Sequence, residues 1–280
     1  MARYITYRLL LLLPVLVGIS VVVFLLIHLI PGDVVDVLLG IQTSPEAAIA
    51  LRRIFGLDQP LHLQFANWAS SLLRGDLGLS LRTGLPVSYL LTSRLVVTAE
   101  LTGLALFLAA LIGIPLGVTA AFRQNTAADY TASSVALVGL SMPDFWTGTL
   151  LVLLLSIKAR WLPPTGYVPF STDPLGNLKL MFMPTITLAG GSASYIMRMT
   201  RSAVLEVLSK DYIRTARAKG LQRHQVVFIH AFRNALVPVM AIVGQQMAYL
   251  LGGVVVVESI FAIPGIGRTA LESIYYRDYP

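Results

Sequence analysis

Four polar side chains interrupt otherwise apolar runs of this sequence: Glu100, Asp144, Gln245 and Gln246. An ionised group at bilayer depth costs at least about 2.5 kcal/mol on insertion scales, so such residues are candidates for lining a solute path. Glu100 falls near the outer end of its run, where a cap or interfacial role serves as well as a pathway role. Asp144 is deeper and stands beside Pro143, which removes a backbone donor and bends a helix. It either lines a path or makes a structural bond inside a bundle. His28 and His62 read as boundary and surface residues, because no second His and no paired acid stands near them at metal-ligand spacing. His224 and His230 are six apart and so fall on different faces of a helix. With no Cys there is no thiolate metal site or cysteine nucleophile. Without Gly-Lys-Ser or Gly-Lys-Thr there is no loop to cradle a triphosphate, so no ATP and no metal are expected on this chain.

A second chemical feature is charge. Residues 198–233 hold eight Lys or Arg against two acids and carry six of the seven net positive charges of the chain. The apolar runs on either side are long enough to cross a bilayer, which makes this segment a cytosolic loop by the positive-inside bias. Charge beside membrane spans argues against nucleic acid as the partner.

The elements that must position these residues are membrane helices. Composition is 56% hydrophobic and 12% charged, against about 25% charged in soluble proteins, and mean hydropathy is +0.75. The fold class is therefore all-α integral membrane, a polytopic helical bundle. A span needs roughly 20 apolar residues, and five runs qualify, over 9–30, 96–121, 130–157, 180–200 and 235–257. The first, preceded by Arg3 and Arg8, reads as an uncleaved anchor (1–30) with a cytosolic N-terminus, because Pro31-Gly32-Asp33 follows it in place of a cleavage site. Residues 31–94 form an external, partly helical region, with Ser44 as a cap and Pro45 at a first helical position. Residues 95–280 form the transmembrane domain. The polar link 122–129 implies an antiparallel helix pair, and the Pro- and Gly-rich stretch 158–179 an outer loop. Pro184, Gly190 and Gly191 suit the fourth run to close packing inside the bundle.

Within the segment 201–233, Ser209 and Asp211 are caps for a helix of about three turns. Gly220, after Arg217 and Lys219, is a stop signal. A second helical stretch, with Val226, Val227, Ile229 and Phe232 available for burial, restarts at Leu221. Ala216 and Ala218 leave a slim surface for another subunit. An ordinary solvated loop explains the charge equally well.

These residues resemble the permease subunits of bacterial ATP-binding-cassette importers, in the dipeptide, oligopeptide and nickel branch. The words Asp211-Tyr212-Ile213-Arg214-Thr215-Ala216-Arg217-Ala218-Lys219-Gly220-Leu221 and His230-Ala231-Phe232-Arg233-Asn234-Ala235-Leu236-Val237-Pro238 look like that branch's coupling motif. Arg214-Thr215-Ala216 stands where the general motif has Glu-Ala-Ala, and Arg233 where many families have proline. The likeness continues through Leu29-Ile30-Pro31-Gly32-Asp33, Arg74-Gly75-Asp76-Leu77-Gly78, Gly113-Ile114-Pro115-Leu116-Gly117, Ser141-Met142-Pro143-Asp144-Phe145-Trp146 and Val257-Glu258-Ser259-Ile260-Phe261.

The resemblance implies a type I importer bundle in the inner membrane, with five spans here and a sixth expected beyond Pro280. It implies that Lys210, Asp211, Tyr212, Arg214, Thr215, Ala216, Arg217, Ala218, Lys219, Gly220 and Leu221 engage an ATPase. The implied partners are a second homologous permease subunit, two cytosolic ATP-binding subunits that carry ATP and Mg, an external substrate-binding protein and the lipid bilayer. The implied cargo is short peptides, with nickel or glutathione as alternatives. A secondary transporter or channel is the reading from another class; it predicts inverted repeats or intramembrane charge pairs, which the sequence does not display.

Overall fold

The computed structural model describes residues 2–29, 35, 45–54, 56–222, 225–226 and 231–278. Expectations for Pro31-Gly32-Asp33, the Ser44 cap, His224, His230 and the middle of the second coupling stretch, Val227 and Ile229 included, lie outside them. So do the side chains of Ala216 and Arg217. Among the described residues every regular element is a helix, and two compact units form, residues 1–92 with 270–280, and residues 93–269.

In the first unit, α1 (Ala2–Leu29) is predominantly apolar after Arg8 and passes through Pro14. At 1.5 Å per residue it is about 42 Å long, more than the roughly 30 Å of bilayer hydrocarbon. Two short helices follow. The first, α2 (Pro45–Ile54), starts on proline and ends on Arg52 and Arg53, followed by Gly56 at φ +67°. The second, α3 (Leu61–Leu73), is entered through the extended Pro60 and followed by Gly75 at φ +80°. Asp278 closes the unit by accepting from Ser80 Oγ at 2.5 Å and Leu81 N at 2.7 Å.

The second unit is the bundle. Its first helix, α4 (Val87–Phe122), begins within the first unit and runs 36 residues, longer than the run 96–121. Then come α5 (Ala127–Ser141) and α6 (Asp144–Leu151), which continues as a π-helical turn, Val152–Lys158. The expected continuous third span is broken here, with a 95° bend between its halves. The cause is local. Pro143 forbids its predecessor the helical region, and Met142 accordingly sits at φ −82°, ψ 120° with Pro143 at ψ 139°.

The fourth expected span is the inner part of a longer helix, α7 (Pro174–Leu208), 35 residues capped by Asp173, which accepts from Gly176 N at 3.0 Å. Pro at the first position and the Asp cap start this helix six residues earlier than hydropathy suggests. After α8 (Asp211–Ala218) come α9 (Phe232–Ile260) and α10 (Ile266–Tyr276). Among the described residues four helices are long and apolar enough to cross a membrane, five if the bent pair is one span.

The core lies where α4, α7 and α9 meet: Leu101, Met181, Met183, Leu188, Leu250 and Val254 are all buried there. Helix α7 packs on α5, α6 and α9, which makes it the central strut.

Candidate coupling site and its transmission contacts

The candidate coupling helix, α8, is built from a few side chains. Leu208 ends α7, and Lys210 opens the next turn by accepting from Ile213 N at 3.1 Å. Lys210 Nζ donates to Glu206 at 3.3 Å, Arg214 lies 3.5 Å from Asp211, and Thr215 Oγ1 donates to the Asp211 carbonyl at 3.2 Å. These exposed ion pairs stabilise a helix only by tenths of a kcal/mol.

Burial holds it in place. Ile213 is fully buried in a cluster with Val226 and Ala231, against Val207 and Leu208 of α7. Tyr212, Asp211, Arg214, Thr215, Ala218, Lys219 and Leu221 are exposed. Gly220, at φ +81°, ends the turn in a backbone region that L side chains adopt rarely. The anchor Ile213 is a residue that the charge-led reading passed over; its signal was an isolated β-branched apolar residue in a cationic helix.

The root of this helix is tied to the bundle by a pair that spacing did not reveal. Arg201 of α7 donates through Nε and a terminal nitrogen to both carboxylate oxygens of Asp129, at 2.6 and 2.7 Å. Asp129, in the first turn of α5, is 1% exposed and also accepts from Asn125 N at 3.0 Å. A carboxylate this buried is tolerated because a bidentate guanidinium and a backbone donor replace its water. The short link 123–126 is thereby joined to the α7 extension that carries α8.

Above that pair, α4 and α7 approach backbone to backbone. A Cβ on Gly113 would lie 2.7 Å from the Ala193 carbonyl oxygen, and one on Gly117 would lie 2.6 Å from that of Met197. Four-residue spacing puts both glycines on one helix face, the small-residue pattern of close membrane-helix contacts. A Cβ on Gly139 of α5 would instead meet the side-chain hydroxyl of Ser194 of α7.

At the far end of α9, Glu258 is fully buried. It accepts from Thr98 Oγ1 at 2.7 Å and Arg268 N at 2.8 Å, while Thr98 Oγ1 accepts from Ile266 N at 2.9 Å. Side chains at Gly265 and Gly267 would strike Glu258 and Val255. The hydrogen bonds of the turn it braces account for its burial.

The four polar span residues are not brought together. Asp144 is half-buried in the first turn of α6, just after the break, and Glu100 accepts from Tyr167 of the loop 159–173 at 2.9 Å. Gln245 is exposed and Gln246 is buried. None of them lines the apolar cleft of about 1480 Å³ enclosed by α4, α5 and α7. Loss of solvent and the Glu100 carboxylate push the Tyr167 hydroxyl up to about 12.

Helices of this length and apolarity, a broken span and a short cationic helix define a polytopic α-helical membrane protein. The chain belongs to the family described as binding-protein-dependent transport system inner membrane component, which matches residues 113–280; that family's N-terminal region matches residues 1–102. It is similar to a peptide transport system permease protein of Brucella suis biovar 1, so named provisionally, with 43% identity over 96% of this chain and 85% of the relative. Dipeptide transport system permease proteins of Alkalihalophilus pseudofirmus and Escherichia coli strain K12 are 41% and 38% identical, each over 100% of this chain and 90% of the relative. The crystal structure of an amino acid ABC transporter with histidines shares the fold, at TM-score 0.53 and 18% identity over 69% of this chain and 82% of that one. The chain is thus a multi-pass permease subunit of an ABC transporter, a transport component that works with other subunits.

Proposed function

We propose that this chain forms half of the translocation path of an importer for short peptides and transmits work from a cytosolic ATPase through α8. The observation that carries the coupling assignment is the contrast within α8: Ile213 is fully buried under a row of exposed residues that includes Tyr212, Arg214, Thr215 and Ala218. A helix fixed by one residue and terminated at a positive-φ glycine is a handle that moves as a unit with the end of α7.

Peptide cargo rests on the relatives' names; nickel and glutathione are the alternatives. The remaining assignments are the N-terminus in the cytosol, 1–30 as anchor, 31–94 outside, 95–280 as the transmembrane domain and 201–233 as the coupling segment. The partner set is a second homologous permease, two ATP-binding subunits that supply ATP and Mg chemistry, and an external binding protein. This chain is non-catalytic and holds no cofactor. Asp144, Glu100, Gln245 and Gln246 are assigned to the path, with Asp144 at the helix break facing the cargo's ammonium group.

Uptake of a labelled dipeptide by cells carrying D144N tests the path. A fall of about tenfold or more with unchanged membrane level supports it, and unchanged uptake removes Asp144.

A further inference from the structure

In the first unit, the C-terminal end of α1 leans on α3. The rings of Phe24 and Phe65 meet edge to face at 5.3 Å, and Trp68 stacks on from Phe65 at 5.7 Å. His28 Nδ1 donates to the Phe24 carbonyl at 2.8 Å, and its Nε2 lies 3.2 Å from Gln64 Oε1. Between the two helices opens a cavity of about 700 Å³, within the range of small-ligand pockets.

Its walls differ in character. Ile19, Val23 and Ile27 of α1 form an apolar strip, about 12 Å long at 1.5 Å per residue. At the end of α1 the lining turns polar, with Gln64, Asn67 and Asp76. Because α1 is exposed along its apolar length, lipid must cover it, and the strip is reached from the bilayer. A molecule that satisfies both walls is an amphiphile.

Charge selects its head. Among the described lining residues Asp76 is the single acid, and no Lys or Arg is present. One Asp76 oxygen accepts from Gly78 N at 2.9 Å, Asp76 is exposed, and Trp68, which lines the same cavity, is 40% exposed. Aromatic face and carboxylate together attract an ammonium group, while a purely anionic head would meet Asp76 without a counter-cation. We infer that this cavity is a binding site for a phospholipid with an ammonium headgroup, its acyl chain lying along Ile19, Val23 and Ile27 and its ammonium at Asp76.

The test uses the full chain with its co-purifying subunits in bilayer discs of equal phosphatidylethanolamine and phosphatidylglycerol, with retained lipid read by native mass spectrometry. The expected result is at least fivefold enrichment of phosphatidylethanolamine in the unaltered protein, a preference lost in D76N, and reduced retention of either lipid in V23W, which fills the strip. Equal retention of both lipids by the unaltered protein, or a preference that survives both substitutions, overturns the assignment. Displacement of bound lipid by a soluble dipeptide also overturns it, because the cavity is then a peptide site.

Discussion

Asp129 and Arg201 show how one contact carries both stability and transmission. Removing one partner of a buried ion pair costs about 3–5 kcal/mol, whereas replacing both with apolar groups of similar size is close to neutral. R201M and D129L are therefore each expected to lower the thermal midpoint of the purified subunit more than the double variant D129L/R201M does, and a double-mutant cycle by scanning fluorimetry checks this. Retained stability with lost uptake in the double variant would separate the pair's transmission role from its structural one.

Tyr167 gives a pH signature. Its folded hydroxyl lies at about 12, above the unfolded value of about 10. The bond to Glu100 therefore contributes its full stability below pH 10 and loses it as pH rises through 12. The stability difference between the unaltered protein and Y167F is expected to be constant up to about pH 10 and to shrink above it; a difference that grows with pH would contradict the bond.

Among the elements, α4 and α7 form a close backbone seam. Gly113 and Gly117 let the α7 carbonyls of Ala193 and Met197 come within reach of the α4 backbone, so a methyl at either glycine has nowhere to go. Overpacking of this kind costs about 1–3 kcal/mol. G117A is expected to destabilise the bundle by that amount, while G103A, whose added methyl meets nothing within 4 Å, is expected to leave it unchanged. Thermal melts of the two variants make the comparison, and equal effects would argue against the seam.

The seam's residues were legible in the sequence as the word Gly113-Ile114-Pro115-Leu116-Gly117, but their partner was not, because spacing along one helix does not name the helix that fills the groove. The same limit hid Arg201–Asp129 and Thr98–Glu258, whose members stand 72 and 160 residues apart. Hydropathy located the spans but set α4 and α7 short, since their polar ends are held by the fold and not by lipid. It also missed the break at Met142-Pro143, where proline's local rule overrides an apolar run. The Gly220 stop and the helix after Ser209 were readable, because caps and positive-φ glycines are local chemistry.

For the whole molecule, these contacts describe a path of force. On the coupling reading proposed above, the exposed row of α8 is expected to turn about Ile213, with the end of α7 following, Arg201 drawing on Asp129 and the α5 turn, and the glycine seam passing the movement to α4. Substituting Ile213 with Asp would release α8 while leaving its exposed residues intact. I213D is expected to abolish peptide uptake and uncouple ATP hydrolysis from substrate, with the subunit still in the membrane.

The most direct test of the central claim is site-specific cross-linking from α8 in the intact transporter. A photoreactive residue replacing the exposed Thr215 should cross-link to the ATP-binding subunit, in a yield that changes when ATP is trapped. Cross-linking from Thr215 to lipid alone, to an external protein, or to nothing in either nucleotide state would contradict the account.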